Sequence, residues 1–84
     1  MLRKELLNKG KVIEPSIRVG KNGLSDEIVK EIAAQLKRKK LIKVKFLQSS
    51  LEGKDKKAEA LKLAKLTNSE LIYAVGFVVV LYKK

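Results

Sequence analysis

The residues of this chain best suited to chemistry form a G-x-x-G tetrapeptide, Gly20, Lys21, Asn22 and Gly23. Glycines carry no Cβ atom, so a ligand can approach the main chain of this segment closely. The helix predicted directly after the tetrapeptide adds unpaired N–H donors and a partial positive charge at its N-terminus. Phosphate suits such donors best, and Lys21 would add a charge-assisted contact. The tetrapeptide is therefore a candidate phosphate site.

The charge of the chain favours the same kind of ligand. Twenty Lys and Arg residues against nine Asp and Glu residues give a net charge of +11 over 84 residues. A strongly basic domain is typical of nucleic-acid binding, because contacts to phosphates release counterions. The excess is spread along the chain, which predicts a basic folded surface rather than a basic tail. A thermophile-type surface, a solubility surface and an acidic protein partner are the alternative explanations of this charge.

Composition argues against enzymatic chemistry. The chain has no Cys and no His, and its acidic residues are scattered along charged segments. General acid–base catalysis needs perturbed groups in a cleft, and the Walker A spacing of nucleotide hydrolases is missing. A domain of 84 residues also has room for only a modest core. We therefore expect no catalytic residue, no cofactor, no metal and no small-molecule substrate.

The hydropathy pattern indicates a cytoplasmic protein. No apolar run of the signal-peptide type follows the basic residues near the start of the chain. The longest apolar stretch, residues 71–82, is too short to cross a bilayer as a helix. We expect no membrane contact.

Elements on both sides of the tetrapeptide must position it. Three leucines at helical spacing predict a short helix over residues 2–8, and Gly10 stands where a C-capping glycine would. Pro15 then marks the entry to a short strand over residues 16–19.

A longer helix is predicted after the tetrapeptide. Apolar residues recur every four positions from Leu24 to Leu36, which is the stripe of an amphipathic helix packed on a sheet. Ser25 is expected to cap the N-terminus of this helix. The helix ends in more cations than its dipole needs, which are either a solvated face or phosphate contacts: Lys37, Arg38, Lys39 and Lys40.

Residues 41–46 alternate between apolar and basic residues and predict a second strand. Lys43 and Lys45 then point away from the core, as Arg18 does in the first strand. If the two strands pair in parallel in one sheet, these three cations share one face.

The last third of the chain predicts a helix and two strands. A second amphipathic helix is expected over residues 54–66, with its lysines on a solvated face. Two apolar strands, 71–75 and 77–82, would meet at a tight turn around Gly76, and a single long strand with a bulge there is the alternative. The aromatic residues of these strands are expected in the core, which leaves little for base stacking: Tyr73, Phe77 and Tyr82.

Three ordered motifs resemble the CRM domain family, which includes bacterial YhbY-type proteins and plant organellar splicing factors. They are residues 17–25, residues 41–45, and the pair of segments 75–76 and 80–83. The resemblance spans almost the whole chain. It implies one compact α/β domain over residues 1–84, with a short N-terminal helix and then β-α-β-α-β-β. The helices would pack on a four-stranded mixed sheet, similar to the C-terminal domain of bacterial translation initiation factor three.

The resemblance also implies RNA binding. Bacterial members of the family are linked to large-subunit ribosome precursors, and plant members to intron splicing. The family's RNA-contacting loop falls on the tetrapeptide of residues 20–23, and its basic strand falls on residues 41–45. Phe77 departs from the pattern, because a basic residue is common there. The expected partner is ribosomal or other structured RNA, including RNA within pre-ribosomal particles, and the protein is expected to be a monomer. The candidate RNA-binding residues are Gly20, Lys21, Asn22, Gly23, Arg18, Lys37, Arg38, Lys39, Lys40, Lys43 and Lys45.

Two other classes of function remain open. One is a chromatin-type protein resembling the small archaeal Alba proteins, which would prefer duplex DNA and form dimers. The other is an assembly adaptor whose main partner is a protein, in which case its affinity would survive high salt.

Overall fold

The computed structural model of the protein describes residues 2–84, which form three α-helices, one 3-10 turn and four strands. The order confirms the predicted short helix followed by β-α-β-α-β-β. The elements are α1 (Arg3–Val12), β1 (Ile17–Val19), α2 (Asp26–Lys39), β2 (Leu41–Phe46), the 3-10 turn (Gln48–Leu51), α3 (Lys56–Leu66), β3 (Glu70–Val75) and β4 (Val78–Tyr82).

The four strands form one mixed sheet in the order β1-β2-β4-β3. β1 is parallel to β2, with Val19 opposite Phe46, and the other two pairs are antiparallel. The carboxyl ends of β1 and β2 and the start of β4 therefore lie at the same end of the sheet. We call this end of the sheet the loop end, and we include in it the segment 20–23 after β1, the segment 76–77 before β4 and the segment 54–57 at the start of α3.

Helices α2 and α3 cover one face of the sheet and enclose the main core. The apolar stripe predicted from Leu24 to Leu36 lies in this core. Burial of each large aliphatic side chain contributes about 1.5–3 kcal/mol, so this face supplies most of the hydrophobic stabilisation. The largest fully buried side chains of this core are Ile32, Leu36, Ile42, Leu63, Leu81, Val19 and Val44.

Helix α1 packs alone on the opposite face. Its Leu6 forms a second, smaller cluster with Ile72 and Val80. The Arg3 guanidinium anchors the start of the helix, because it lies 3.1 Å from the Glu70 carboxylate and donates to the carbonyl of Ile72.

The prediction that Gly10 caps α1 was wrong. The helix continues to Val12, and Gly10 is buried inside it. A Cβ atom at this position would lie 2.9 Å from Val80 Cγ1 and 3.0 Å from Tyr73 Cε1. Gly10 is therefore a packing residue that lets the helix backbone approach the sheet. The sequence near Gly10 does not distinguish a packing glycine from a capping glycine, because the contact with Val80 is distant in the chain.

The C-terminal strands form a hairpin, as the sequence predicted. Gly76 has a φ of 59° in the two-residue turn between them, a conformation that favours glycine. A register shift between Leu71 and Tyr73 bends β3. Phe77 was expected in the core, and this was wrong: it occupies the second turn position and keeps 40% of its surface exposed. Phe46 is buried and Tyr73 and Tyr82 are half-buried, close to expectation.

The remaining differences from the sequence prediction are small. The second amphipathic helix begins at Lys56 rather than at residue 54, and the polar segment before it contains the 3-10 turn. Within residues 2–84, no helix combines the length and the apolar character that a membrane crossing requires.

Replacing Gly10 with leucine tests the packing of α1. The added side chain has no room against Val80, so we expect a loss of about 1–3 kcal/mol in the free energy of unfolding. Lys9→Leu is the matched control, because the neighbouring Lys9 is exposed on the same helix. Urea unfolding followed by circular dichroism measures both, and equal midpoints for the two variants would contradict the close approach.

Candidate nucleic-acid interface

The G-x-x-G tetrapeptide is a tight turn at the end of β1. The Gly23 N–H donates to the carbonyl of Gly20 at 2.9 Å, which places Lys21 and Asn22 at the two exposed central positions. Gly23 itself is buried and has a φ of 64°, in the left-handed region that favours glycine. The turn therefore displays its two central residues outward on a fixed backbone.

The main-chain donors of the turn are fewer than the sequence suggested. The Gly23 N–H is used inside the turn, and the Ser25 N–H donates to the carbonyl of Gly23 at 3.0 Å. Within residues 2–84, the N–H groups of Lys21 and Asn22 have no protein acceptor within hydrogen-bond distance. These two amides are therefore available to an anion.

The start of α2 is less favourable for phosphate than the turn itself. Ser25 caps the helix as predicted, since its hydroxyl accepts from the Ile28 N–H at 3.3 Å. The exposed carboxylates of Asp26 and Glu27 occupy the first turn, where they interact well with the helix dipole. The same carboxylates would repel a phosphate placed at the helix N-terminus.

Lys54 is a cation at the turn that the sequence analysis missed. Its Nζ lies 3.2 Å from the position that a Cβ atom on Gly23 would occupy. The same Nζ is 3.9 Å from Glu59 Oε1, in a partly exposed ion pair. Lys54 had been assigned to a solvated helix face, and no local pattern indicates its contact with a turn so far away in the chain.

Arg18 and Lys45 lie side by side on the sheet face that carries α1. They are directly opposite each other in the parallel pair, and both are exposed. Lys43 is two residues further along β2 on the same face and is half-buried. The predicted sharing of one sheet face by these three cations is thus confirmed by the strand register.

A shallow groove of about 330 Å³ continues this basic face beside α1. It brings Lys11, a second cation that the sequence analysis did not single out, close to Lys43. Partial burial raises the pKa of the Tyr73 hydroxyl in this groove above its ordinary value. The groove is lined by Lys11, Lys43, Tyr73, Val75 and Val78.

The four cations of residues 37–40 lie away from the turn. They are exposed at the C-terminus of α2, and the carbonyl of Lys40 accepts from the Lys83 N–H at 2.8 Å. A helix of 14 residues at 1.5 Å per residue separates them from the turn by about 20 Å. The candidate residues therefore form two groups at opposite ends of the molecule, with Arg18 and Lys45 beside the turn. Lys43 lies between the two groups, because it lines a small cleft of about 160 Å³ together with Lys39.

The family model of the CRS1 / YhbY (CRM) domain matches residues 2–83 of this chain. The chain is 40% identical over 79 residues to the Probable RNA-binding protein YqeI of Bacillus subtilis, covering 94% of this chain and 80% of that protein. It is 39% identical over 82 residues to the Probable RNA-binding protein MJ0652 of Methanocaldococcus jannaschii, covering 98% of this chain. The match spans only 60% of the length of that archaeal relative.

A solved structure has the same fold. The hypothetical protein SAV1595 from Staphylococcus aureus superposes with a TM-score of 0.82 at 33% sequence identity. The superposition covers 98% of this chain and 83% of that one.

The two glycines of the turn are predicted to differ in their tolerance of a side chain. Gly23→Ala should lower the free energy of unfolding by about 1–2 kcal/mol, because alanine is strained at its positive φ. Gly20→Ala is the matched control: its backbone is outside the left-handed region, and the nearest atom to its Cβ would be 3.9 Å away. Thermal unfolding of both variants measures the difference, and an equal effect would contradict the turn geometry.

Proposed function

The chain belongs to the CRS1 / YhbY (CRM) domain family, and from that premise we propose that it binds structured RNA through its loop end. The turn of residues 20–23 is the centre of the proposed interface. Its free Lys21 and Asn22 amides and the Lys21 ammonium group would bind phosphate oxygens. The names of the two curated relatives support RNA as the ligand.

One observation carries this proposal: free main-chain donors and exposed cations converge at the same end of the molecule. Lys54 approaches the turn from the helical side, and Arg18 and Lys45 flank it on the other sheet face. Cations on both sides of a protruding turn match the two strands of phosphates that border a groove in a folded RNA. We propose that Lys43 and Lys11 extend this track beside α1.

Most of these cations are not neutralised by the protein. Across residues 2–84, two ion pairs form, Arg3 with Glu70 and Lys54 with Glu59. Exposed pairs of this kind contribute little and exchange readily with other anions. The net charge of +11 is therefore available to phosphates, and binding should weaken steeply as salt is added.

We assign the RNA to ribosomal or other structured species, in large-subunit ribosome assembly or RNA maturation, in the cytoplasm. The family resemblance supports this assignment. In this role the protein has no catalytic step. The loop end recognises the shape of the RNA backbone. The proposed interface acts in a monomer, because it needs no residue from a second copy.

Lys21→Ala tests the role of the turn. We expect weaker binding to all structured RNAs alike and a salt dependence of affinity that is flatter by about one unit, because one phosphate contact is lost. Lys37→Ala removes the same charge in the last turn of α2, away from the turn, and is the matched control, with little effect expected. Titration of a ribosomal RNA stem-loop and a DNA duplex of the same stem across a salt series measures both variants.

Three results would contradict the proposal in different ways. An equal effect of Lys21→Ala and Lys37→Ala would mean that the RNA is held by the general positive charge of the surface and not by the turn. Equal affinity for RNA and DNA, together with dimer formation, would favour the chromatin-type alternative. Affinity for the RNA that persists at high salt would favour the alternative in which the protein is an assembly adaptor with a protein as its main partner.

A further inference from the structure

Phe77 is an aromatic side chain held at the surface by a well-defined turn. The Phe46 N–H donates to the carbonyl of Phe77 at 2.7 Å, and Gly76 sets the direction of the hairpin. With 40% of its surface exposed, Phe77 keeps part of its ring accessible to a ligand. The hydrogen bond and the turn hold the main chain that carries the ring.

One lysine contacts this ring, and a second lies in the groove beside the hairpin turn. The Lys56 Nζ lies 4.9 Å from the ring centroid, within the range of a cation–π contact. A groove of about 390 Å³ lies next to the hairpin turn, between the start of α3 and β3. Apolar and basic side chains mix in this groove, which is lined by Asp55, Lys56, Lys57, Leu71, Ala74 and Gly76.

Phe77 is close to the G-x-x-G turn. The backbone of Phe46 connects the two, since it is opposite Val19 in β1 and bonds to Phe77 on its other side. Two strand spacings of about 4.8 Å place the main chain of Phe77 about 10 Å from the end of β1. The segment 54–56 bridges the same gap, with Lys54 beside Gly23 and Lys56 beside Phe77.

We propose that Phe77 is a stacking platform for one unpaired base of the RNA whose phosphates bind at the turn. This inference rests on the proposed function and makes its ligand more specific: a helix with an adjoining loop or bulge rather than a continuous duplex. An aromatic ring offers a face to any base, so the contact selects an unpaired nucleotide without reading its identity. Lys56 and Lys57 would bind the phosphates that flank the stacked base.

The charges around the ring favour a nucleotide over a protein segment. The groove beside the ring is lined by two lysines, Lys56 and Lys57, and by one carboxylate, that of Asp55. The neighbouring Lys54 is paired with Glu59. A nucleotide can stack its base on the ring and bind the lysines through its phosphate at the same time. A protein partner would have to combine an apolar anchor with several carboxylates, and it is treated as an outcome of the test.

Phe77→Leu removes the ring face and keeps an apolar side chain. We expect about tenfold weaker binding of a stem-loop RNA, unchanged binding of a blunt duplex of the same stem, and an unchanged salt slope. Leu66→Ala is the control, because Leu66 is an exposed apolar residue (52%) at the far end of α3. Equal affinity of Phe77→Leu and the wild-type chain for the stem-loop would overturn the stacking role.

Phe77→Trp gives a second, independent readout. The chain contains no tryptophan, so the new side chain is a unique fluorophore. Saturation with the stem-loop RNA should quench its fluorescence, and saturation with the blunt duplex should leave it nearly unchanged. Unchanged fluorescence in the saturated stem-loop complex would overturn the inference. That result is also the one expected if Phe77 binds a protein partner instead of a base.

Failure of this inference can be distinguished from failure of the proposed function. If Lys21→Ala weakens stem-loop binding and Phe77→Leu does not, the turn binds RNA and only the stacking role is wrong. If neither variant weakens binding, both proposals are wrong.

Discussion

The pairing of β2 with a parallel strand on one side and an antiparallel strand on the other determines which loops of this protein meet. Val19 ends β1 opposite Phe46, and the Phe46 N–H donates to the carbonyl of Phe77 in the turn of the β3–β4 hairpin. The G-x-x-G turn and the hairpin turn are therefore fixed at the same end of the sheet. A slip of β2 by one residue would also move its lysines into the core.

This arrangement divides a basic surface into two parts with different properties. At the loop end, cations surround a turn with free amides and an exposed ring. At the other end, residues 37–40 form the last turn and the C-cap of α2, where cations interact favourably with the helix dipole. The distal cluster thus has a structural explanation that the loop-end cations lack. Long-range attraction of RNA would draw on both parts, but only the loop end offers main-chain donors as well.

The elements were predictable because the local patterns are strong. The four-residue recurrence from Leu24 to Leu36, the Ser25 cap and the alternation of residues 41–46 each identify an element without tertiary information. Gly10 and Phe77 were misassigned for a common reason. The role of Gly10 depends on Val80, which is distant in the sequence, and alternation alone could not place Phe77 in the two-residue turn rather than in the following strand.

The candidate site was predictable only in part. Its tetrapeptide is visible in the sequence, and the sharing of one face by Arg18, Lys43 and Lys45 followed from strand periodicity. The approach of Lys54 to Gly23 and the distance of residues 37–40 from the turn are tertiary properties. Charge patterns identify which residues are basic, but strand order and helix length decide which of them act together.

The most direct test of the loop end as the RNA interface is a map of amide chemical-shift changes by NMR during titration with a structured RNA. The largest changes are predicted in residues 18–24, 45–47, 54–57 and 76–78, with little change in residues 37–40. Changes centred on residues 37–40, with the G-x-x-G turn unaffected, would contradict the interface.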